Sequence, residues 1–229
     1  MIEWNLDSAG RPVLKQAITR PAVYLDHWAI RKFAGDSKLA MRFTAALKAS
    51  QGTWAVSLLN LIEFIKMTDE RQAAQFEELL EQVLPNIFFI DFQALDVIDR
   101  ERVIMQGGSR AAPYGDVSLL EVFAANLPHT LLPFTAKNLI TVIVKRRDQL
   151  REDLVILNDT IVSKTQHMRE QMLIDKQFEM AVKGSQKSAQ YQRTLLFLRE
   201  LLGSLLSDHN KIVTPNDAMD LFHAIVPIS

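Results

Sequence analysis

The chain has 229 residues, of which 48% are hydrophobic and 23% are charged, so it can bury a core and is not intrinsically disordered. The net charge of −1 excludes a globally basic surface, and the absence of cysteine excludes disulfides, thiolate zinc sites and cysteine nucleophiles. We find no targeting signal and no apolar run long enough to span a bilayer, and therefore expect a cytoplasmic protein with no membrane partner.

The first hundred residues alternate between short apolar runs typical of strands and longer amphipathic runs typical of helices. Ser37 is a candidate helix cap, and Gly52 and Pro85 end helical runs. This alternation predicts an α/β fold with a parallel sheet flanked by helices. The predicted strands are Ala22–Leu25, Thr53–Val56 and Asn86–Ile90, and the predicted helices are His27–Ala34, Ser37–Ser50, Leu58–Met67, Glu70–Val83 and Phe92–Val103.

From about Val117 to Leu206 the sequence predicts helices and no strand. Ala136–Val182 contains neither proline nor glycine and predicts one long helix, which Gly184 interrupts before a further helix over Ser188–Leu206.

Thr214 as N-cap and Pro215 as the first helical residue predict a last helix that ends near Val226. We therefore predict a discontinuous α/β domain with an all-α insertion. The α/β domain comprises 20–105 and 206–229, and the insertion comprises 106–205.

Two acidic residues in the first half are candidates for chemistry. Asp26 ends the first predicted strand, where open α/β sheets bind ligands, but it suits equally well the cap of the following helix. Glu63 lies in a helix that is apolar on most of its circumference, where a buried carboxylate is costly without a cation or a proton. Alternatively, Asn60, Glu63 and either Lys66 or Met67 form the exposed stripe of a core helix, a stripe that is polar if Lys66 is its end.

The last helix contributes two more carboxylates. Asp217 and Asp220 are three residues apart and share a face, with His223 one turn further on. Asp217 also suits the third position of a capping box begun by Thr214, whereas capping does not explain Asp220. His223 alone is more often a packed or surface histidine than a ligand.

Three short segments, in order along the chain, resemble the acidic motifs of the PIN-domain nuclease family. Val23–Asp26 is similar to the family's first strand, Ser57–Phe64 to its second motif and Asn216–Ala218 to its third. The continuation Asp220–His223 is similar to that of larger PIN-like proteins. The resemblance covers about 22–67 and 211–226, less than half of the chain.

The resemblance implies a three-layer α/β/α fold and a metal-dependent endoribonuclease that hydrolyses RNA phosphodiester bonds. It makes Asp26, Glu63 and Asp217 ligands of Mg²⁺ or Mn²⁺, hard cations that prefer oxygen and offset the repulsion between carboxylates. Asp220 is then a fourth ligand or a group that orients metal-bound water. Further implied roles are support of Glu63 by Ser57 and Asn60, and an outer position for His223.

The chain departs from the family pattern in three respects. His27 and Trp28 follow Asp26, where the family usually has a small hydroxyl residue and often asparagine. The chain ends at Ser229 before the last acidic strand that is common in the family, and the insertion is far larger than in compact toxin-type members.

Family analogy gives a toxin or defence component with an antitoxin or another partner protein. The alternative is a non-catalytic interaction protein with a degenerate PIN-like fold, which forms a homodimer or binds a partner through helices in 136–206. A basic cluster in this block is either an RNA-binding surface or, as we favour, a solvated helix face interleaved with Asp148, Glu152 and Asp153. The cluster is Lys145, Arg146, Arg147 and Arg151.

Overall fold

The structure is a computed structural model, and it describes most of the chain. The described residues are 1–65, 70–91, 99, 103, 106–108, 115–117, 119–121, 135–136, 143, 145, 147–188, 203–208 and 210–225. The strands are β1 (Ile2–Leu6), β2 (Pro12–Gln16), β3 (Ala22–Tyr24), β4 (Thr53–Val56) and β5 (Ile87–Phe89). The helices are α1 (His27–Gly35), α2 (Ser37–Ala49), α3 (Leu58–Ile65), α4 (Glu70–Val83), α5 (Arg147–Ile174), α6 (Lys176–Ser188) and α7 (Pro215–Ile225).

The chain divides into two compact units. Unit 1 comprises Met1–Asp91 and Pro113–Arg151, and unit 2 comprises Phe92–Ala112 and Glu152–Ser229. These units follow different boundaries from the predicted α/β domain and insertion, since α7 falls in unit 2 and the sheet in unit 1.

The predicted parallel sheet is confirmed in unit 1, and the protein is of mixed α/β class. Its strand order is β3-β4-β5, with both neighbouring pairs parallel. Ala55 of the central strand pairs with Tyr24 on one side and with Phe88 on the other. Because the helices connect strands that run in the same direction, the three carboxyl ends lie at one edge of the sheet.

The core of unit 1 forms around the central strand. All four residues of β4 are buried, and Trp54 lies between two other aromatic rings. Its ring centroid is 5.7 Å from that of Phe43 in α2 and 6.3 Å from that of Phe76 in α4, both in edge contacts. Helices α2 and α4 therefore both pack on this residue of the central strand.

A β-hairpin at the start of the chain, which the sequence did not predict, covers the free edge of β5. β1 and β2 pair antiparallel, and the backbone nitrogen of Ile2 donates to the Pro85 oxygen at 2.8 Å. The side-chain amide of Gln16 bonds both backbone groups of Phe89: Nε2 donates to the oxygen at 2.9 Å, and Oε1 accepts from the nitrogen at 2.8 Å. The amide thus replaces part of a neighbouring strand, which protects an otherwise open sheet edge.

Side-chain caps move several predicted helix boundaries. Asp36, not Ser37, is the N-cap of α2, because its Oδ1 accepts from the nitrogens of Lys38 and Leu39. The single helix predicted over 136–182 is wrong at Asp175, whose Oδ1 accepts from Gln177 and Phe178 and so starts a new helix, α6.

The predicted break at Gly184 is also wrong, since α6 continues to Ser188. The predicted helices Phe92–Val103 and Ser188–Leu206 lie largely outside the described residues, although 203–207 is helical.

Within unit 2, Arg169 joins α5 to the segments that lead into α7. Its side chain is almost completely buried, and its Nε donates to the Leu205 oxygen at 2.8 Å. Its Nη1 donates to the Lys211 oxygen at 2.5 Å. Among the described helices, none is both long and apolar enough to cross a membrane.

Candidate functional site

Asp26 lies at the carboxyl end of β3 and begins α1. It is exposed, and its Oδ1 accepts a hydrogen bond of 2.7 Å from the Ala29 nitrogen. The capping role foreseen as an alternative is therefore present. Capping occupies one carboxylate oxygen and leaves the side chain at the edge of the sheet.

Glu63 lies on α3, the helix that follows β4, and faces the first turn of α1. Its Oε2 is 3.6 Å from Nδ1 of His27, and the two side chains are 18% and 19% exposed. The carboxylate is thus not part of a fully solvated stripe. The histidine that departs from the family pattern is its neighbour.

Tyr24, the last residue of β3, has its hydroxyl in surroundings to which both Asp26 and Glu63 contribute. Its hydroxyl is 3.1 Å from Oγ of Ser57. Burial raises the pKa of Tyr24 well above its usual value, and the negative charges of Glu63 and Asp26 raise it further. Asp26 follows Tyr24 by two residues and Glu63 lies near His27, so both carboxylates lie close to the end of β3.

Ser57 and Asn60 form the buried support of this edge. Oδ1 of Asn60 accepts from the Ser57 nitrogen at 3.0 Å, which fixes the start of α3. Nδ2 of Asn60 donates to the Leu25 oxygen at 3.1 Å. These bonds join the helix of Glu63 to the residue that precedes Asp26. The support of Glu63 by Ser57 and Asn60 stays a prediction, since these bonds anchor the backbone on either side of the site.

Two further carboxylates at this edge were missed in the sequence. Asp91 follows β5 after one residue, and Asp116 follows Gly115, which forms an antiparallel bridge with Ile90. Burial raises the pKa of Asp116, and the nearby charge of Asp91 raises it further. The rule that selects Asp26, an acid directly after a predicted strand, also selects Asp91.

Asp217 has a well-defined local role in unit 2. Its Oδ1 accepts from Nζ of Lys211 at 2.5 Å, and its Oδ2 accepts from the nitrogen and Oγ1 of Thr214 at 2.9 and 2.7 Å. Burial raises the pKa of Asp217, but the bonds from Lys211 and Thr214 outweigh it and lower the pKa to about 2. The capping box considered from the sequence is therefore present at the start of α7.

The remaining candidates also lie in unit 2 or at its boundary. Asp220 is exposed on α7, and His223 is half-buried on the same helix. In the basic cluster, Nε of Arg147 lies 3.8 Å from Oδ1 of Asp148, both well exposed, as expected for a solvated helix face. Arg146 lies outside the described residues.

The carboxyl edge of the sheet offers a small set of oxygen ligands. Within the part of the chain that the structure describes, no group of three or more His, Asp or Glu side chains is placed to hold a metal ion. Mg²⁺ nevertheless requires few protein ligands, because one or two carboxylates suffice when water and substrate phosphate complete the octahedron. The pair Asp26 and Glu63 fits that chemistry.

Comparison with known proteins gave no match: no protein-family model, no curated protein and no solved structure is similar to this chain.

Proposed function

We propose that this chain is a PIN-like endoribonuclease, dependent on Mg²⁺ or Mn²⁺, whose active site is the carboxyl edge of the three-stranded sheet. The observation that supports it is the 3.6 Å separation between Oε2 of Glu63 and Nδ1 of His27, the residue directly after Asp26, which relates the acids of two sequence motifs. Two carboxylates from successive βα units at a shared edge form the arrangement expected of a ligand site in a parallel sheet. The three-layer PIN architecture is part of this proposal.

In this proposal each side chain at the edge has a distinct task. Asp26 and Glu63 hold the cation, which would lower the pKa of a bound water and stabilise negative charge on the scissile phosphate. His27, 3.6 Å from Glu63, orients that carboxylate. Asn60 keeps α3 and the end of β3 in register.

The participation of Asp217 and Asp220 as ligands rests on the sequence resemblance alone. Asp217 would have to exchange hydrogen bonds from Lys211 and Thr214 for the cation. Asp220 is exposed, so coordination of the cation would require less rearrangement around it than around Asp217. A role as a toxin with an antitoxin partner likewise rests on family analogy.

The chain offers a matched pair of variants that tests the proposal. Asp26 and Asp36 are both N-caps whose Oδ1 accepts from backbone nitrogens, but Asp36 begins α2. Asparagine caps helices as well as aspartate does, so Asp26→Asn and Asp36→Asn should both fold. With labelled RNA and Mn²⁺ we expect Asp26→Asn to lose about 100-fold or more in cleavage rate, because the cation would lose one of its two carboxylate ligands.

Three controls complete that experiment. Asp36→Asn should cleave at the wild-type rate, EDTA should abolish cleavage, and Glu63→Gln should behave like Asp26→Asn. Equal rates for the Asp26 and Asp36 variants would refute the nuclease proposal.

A second candidate, a non-catalytic helical interaction protein, is favoured by one observation. α5 exposes large apolar side chains in its first half and at its end, with Ile156 60%, Leu173 69% and Ile174 77% exposed. Sedimentation equilibrium of the wild type beside Ile174→Glu tests it. A concentration-dependent dimer that this charge dissociates, together with absent RNA cleavage, would establish this function instead.

A further inference from the structure

An exposed tryptophan stands beside the proposed site. Trp28 is 68% exposed although it lies in the first turn of α1, two residues after Asp26. Nζ of Lys32, one turn further on, lies 5.2 Å from the centroid of its ring. This cation–π contact orients the indole without burying it, so much of the ring surface stays open to solvent.

The indole also forms one wall of a cleft between α1 and α4. The cleft has a volume of about 390 Å³ and is lined by Trp28, Arg31, Lys32, Ala34, Gly35, Gln72 and Gln75. It combines one aromatic surface with two cations from α1 and two amides from α4. Trp28 and Ala34 supply apolar surface beside these polar groups.

This set of groups corresponds to the parts of a nucleotide. Unpaired bases stack on exposed aromatic rings, phosphates bind arginine and lysine, and side-chain amides bond the edges of bases. Asp26 and Trp28 are two residues apart, so their Cα atoms lie within about 7 Å of each other. A base on Trp28 would therefore bring a neighbouring phosphate of the same strand close to the carboxylates.

We propose that this cleft, here called the Trp28 cleft, binds a nucleotide of single-stranded RNA, with its base stacked on Trp28 and its phosphates on Arg31 and Lys32. The identity of the ligand as a substrate rests on the proposed nuclease function. Binding itself does not, because the stacking surface and the cations are present whether or not Asp26 and Glu63 perform catalysis. In a duplex the base faces are already stacked, so the cleft selects unpaired strands.

The experiment measures binding separately from cleavage. Fluorescence anisotropy of a short labelled single-stranded RNA is recorded in EDTA for the wild type, Trp28→Ala and Trp28→Phe. We expect Trp28→Ala to raise Kd about tenfold or more, as base stacking on an aromatic side chain contributes that much, and Trp28→Phe to restore most of the affinity. RNA should quench the tryptophan emission of the wild type, and this quenching should disappear in Trp28→Phe. If Trp28 had only a structural role, RNA would not quench its emission.

The charged wall is tested through salt dependence. The double variant Arg31→Ala/Lys32→Ala should weaken binding and reduce the slope of log affinity against log salt by about 1.4, since each phosphate contact to a single strand contributes about 0.7. Arg42→Ala/Lys48→Ala on α2 removes the same charge outside the cleft and should leave the slope unchanged. Met41→Ala is the matching control for an exposed apolar side chain, because Met41 is 65% exposed.

The outcomes separate the two proposals. The proposal for the Trp28 cleft would be overturned if the wild type did not bind RNA or if Trp28→Ala bound it with wild-type affinity. It would also be overturned if duplex RNA or polyphosphate competed as well as single-stranded RNA. Undiminished cleavage by Glu63→Gln would refute the proposed active site and leave the binding result standing. Loss of cleavage in Glu63→Gln with wild-type RNA affinity supports the proposed active site and shows that RNA binding does not depend on it.

Discussion

Asn60 joins the two halves of the candidate site: its Nδ2 donates to the backbone oxygen of Leu25 at 3.1 Å, while its Oδ1 accepts from the Ser57 nitrogen at 3.0 Å. The side chain is completely buried. One amide therefore fixes the start of the helix that carries Glu63 and the strand end that precedes Asp26. The position of the two acids relative to each other depends on a residue that has no charge.

Asn60→Ala should lower both stability and cleavage. It leaves the buried backbone nitrogen of Ser57 and the partly buried backbone oxygen of Leu25 without these hydrogen bonds, which costs about 2 kcal/mol of the free energy of unfolding. Asn86→Ala is the matched control, because the amide of Asn86 is also buried and donates to the Gly52 oxygen at 2.7 Å, at the start of the strands.

Urea unfolding followed by tryptophan fluorescence should show similar losses for the Asn60 and Asn86 variants. Cleavage per folded molecule should fall only in Asn60→Ala. Equal activity losses in both variants would mean that Asn60 is a stabilising residue without a positioning role.

The contact between the hairpin and β5 should behave as a coupled unit. A Cβ added at Gly115 would lie 2.0 Å from Nε2 of Gln16, so Gly115→Ala has to displace the amide that pairs with Phe89. We expect Gln16→Ala and Gly115→Ala each to cost about 1–2 kcal/mol. The double variant should cost less than the sum, since both changes remove the same hydrogen bonds.

A double-mutant cycle in urea measures this coupling. Gly184→Ala on α6 is a control of opposite sign, because no atom lies within 4 Å of its added Cβ and alanine favours a helix by about 0.5–1 kcal/mol. Strict additivity of the Gln16 and Gly115 changes would contradict the proposed displacement of the amide.

The strands of unit 1 could be predicted because each is a short apolar run bounded by turn residues. Thr53–Val56 matches β4 at both ends, and Glu70–Val83 matches α4. The first hairpin was missed because β1 alternates apolar and polar residues and β2 mixes them, so neither is a continuous apolar run like β4 or β5. Its turn was nevertheless encoded, since Oδ1 of Asp7 accepts from the nitrogens of Ala9 and Arg11, and Gly10 has a φ of 72°.

The candidate site was predictable in part for a similar reason. An acid after a strand is a local signal and identifies Asp26, whereas the contact of Glu63 with His27 joins residues from different helices.

The helix predicted over 136–182 was too long, because a local signal that ends it was overlooked. There the absence of glycine and proline predicted continuity, but a side-chain cap at Asp175 has the same effect as a breaker.

Asp217 should stabilise α7 in a pH-dependent manner. Because its folded pKa of about 2 lies below that of an unfolded aspartate, its contribution is present at neutral pH and is lost as the pH falls from about 4 towards 2. We expect Asp217→Asn to cost about 1 kcal/mol at pH 7, as is usual for a capping-box residue, and less as the pH falls.

Far-UV circular dichroism suits this measurement better than fluorescence, because all three tryptophans lie in unit 1 and α7 lies in unit 2. Asp220→Asn on the exposed side of the same helix is the control and should change stability little. A pH-independent difference between Asp217→Asn and the wild type would show that the carboxylate charge does not contribute.

The pair Asp91 and Asp116 should have the opposite effect on stability. Burial and the charge of Asp91 raise the folded pKa of Asp116, so the folded state binds its proton more tightly than the unfolded chain does. The repulsion therefore destabilises the fold at neutral pH, and this effect decreases as the pH falls through the raised pKa and Asp116 becomes neutral.

Asp91→Asn should accordingly stabilise unit 1 at pH 7 by about 0.5 kcal/mol, the size of a partly exposed charge interaction. The gain should vanish near pH 3, whereas Glu78→Gln, an exposed change of the same charge on α4, should give no such profile. Urea unfolding of both variants across that pH range measures the difference, and a loss of stability in Asp91→Asn at pH 7 would mean that other contacts of Asp91 outweigh its repulsion of Asp116.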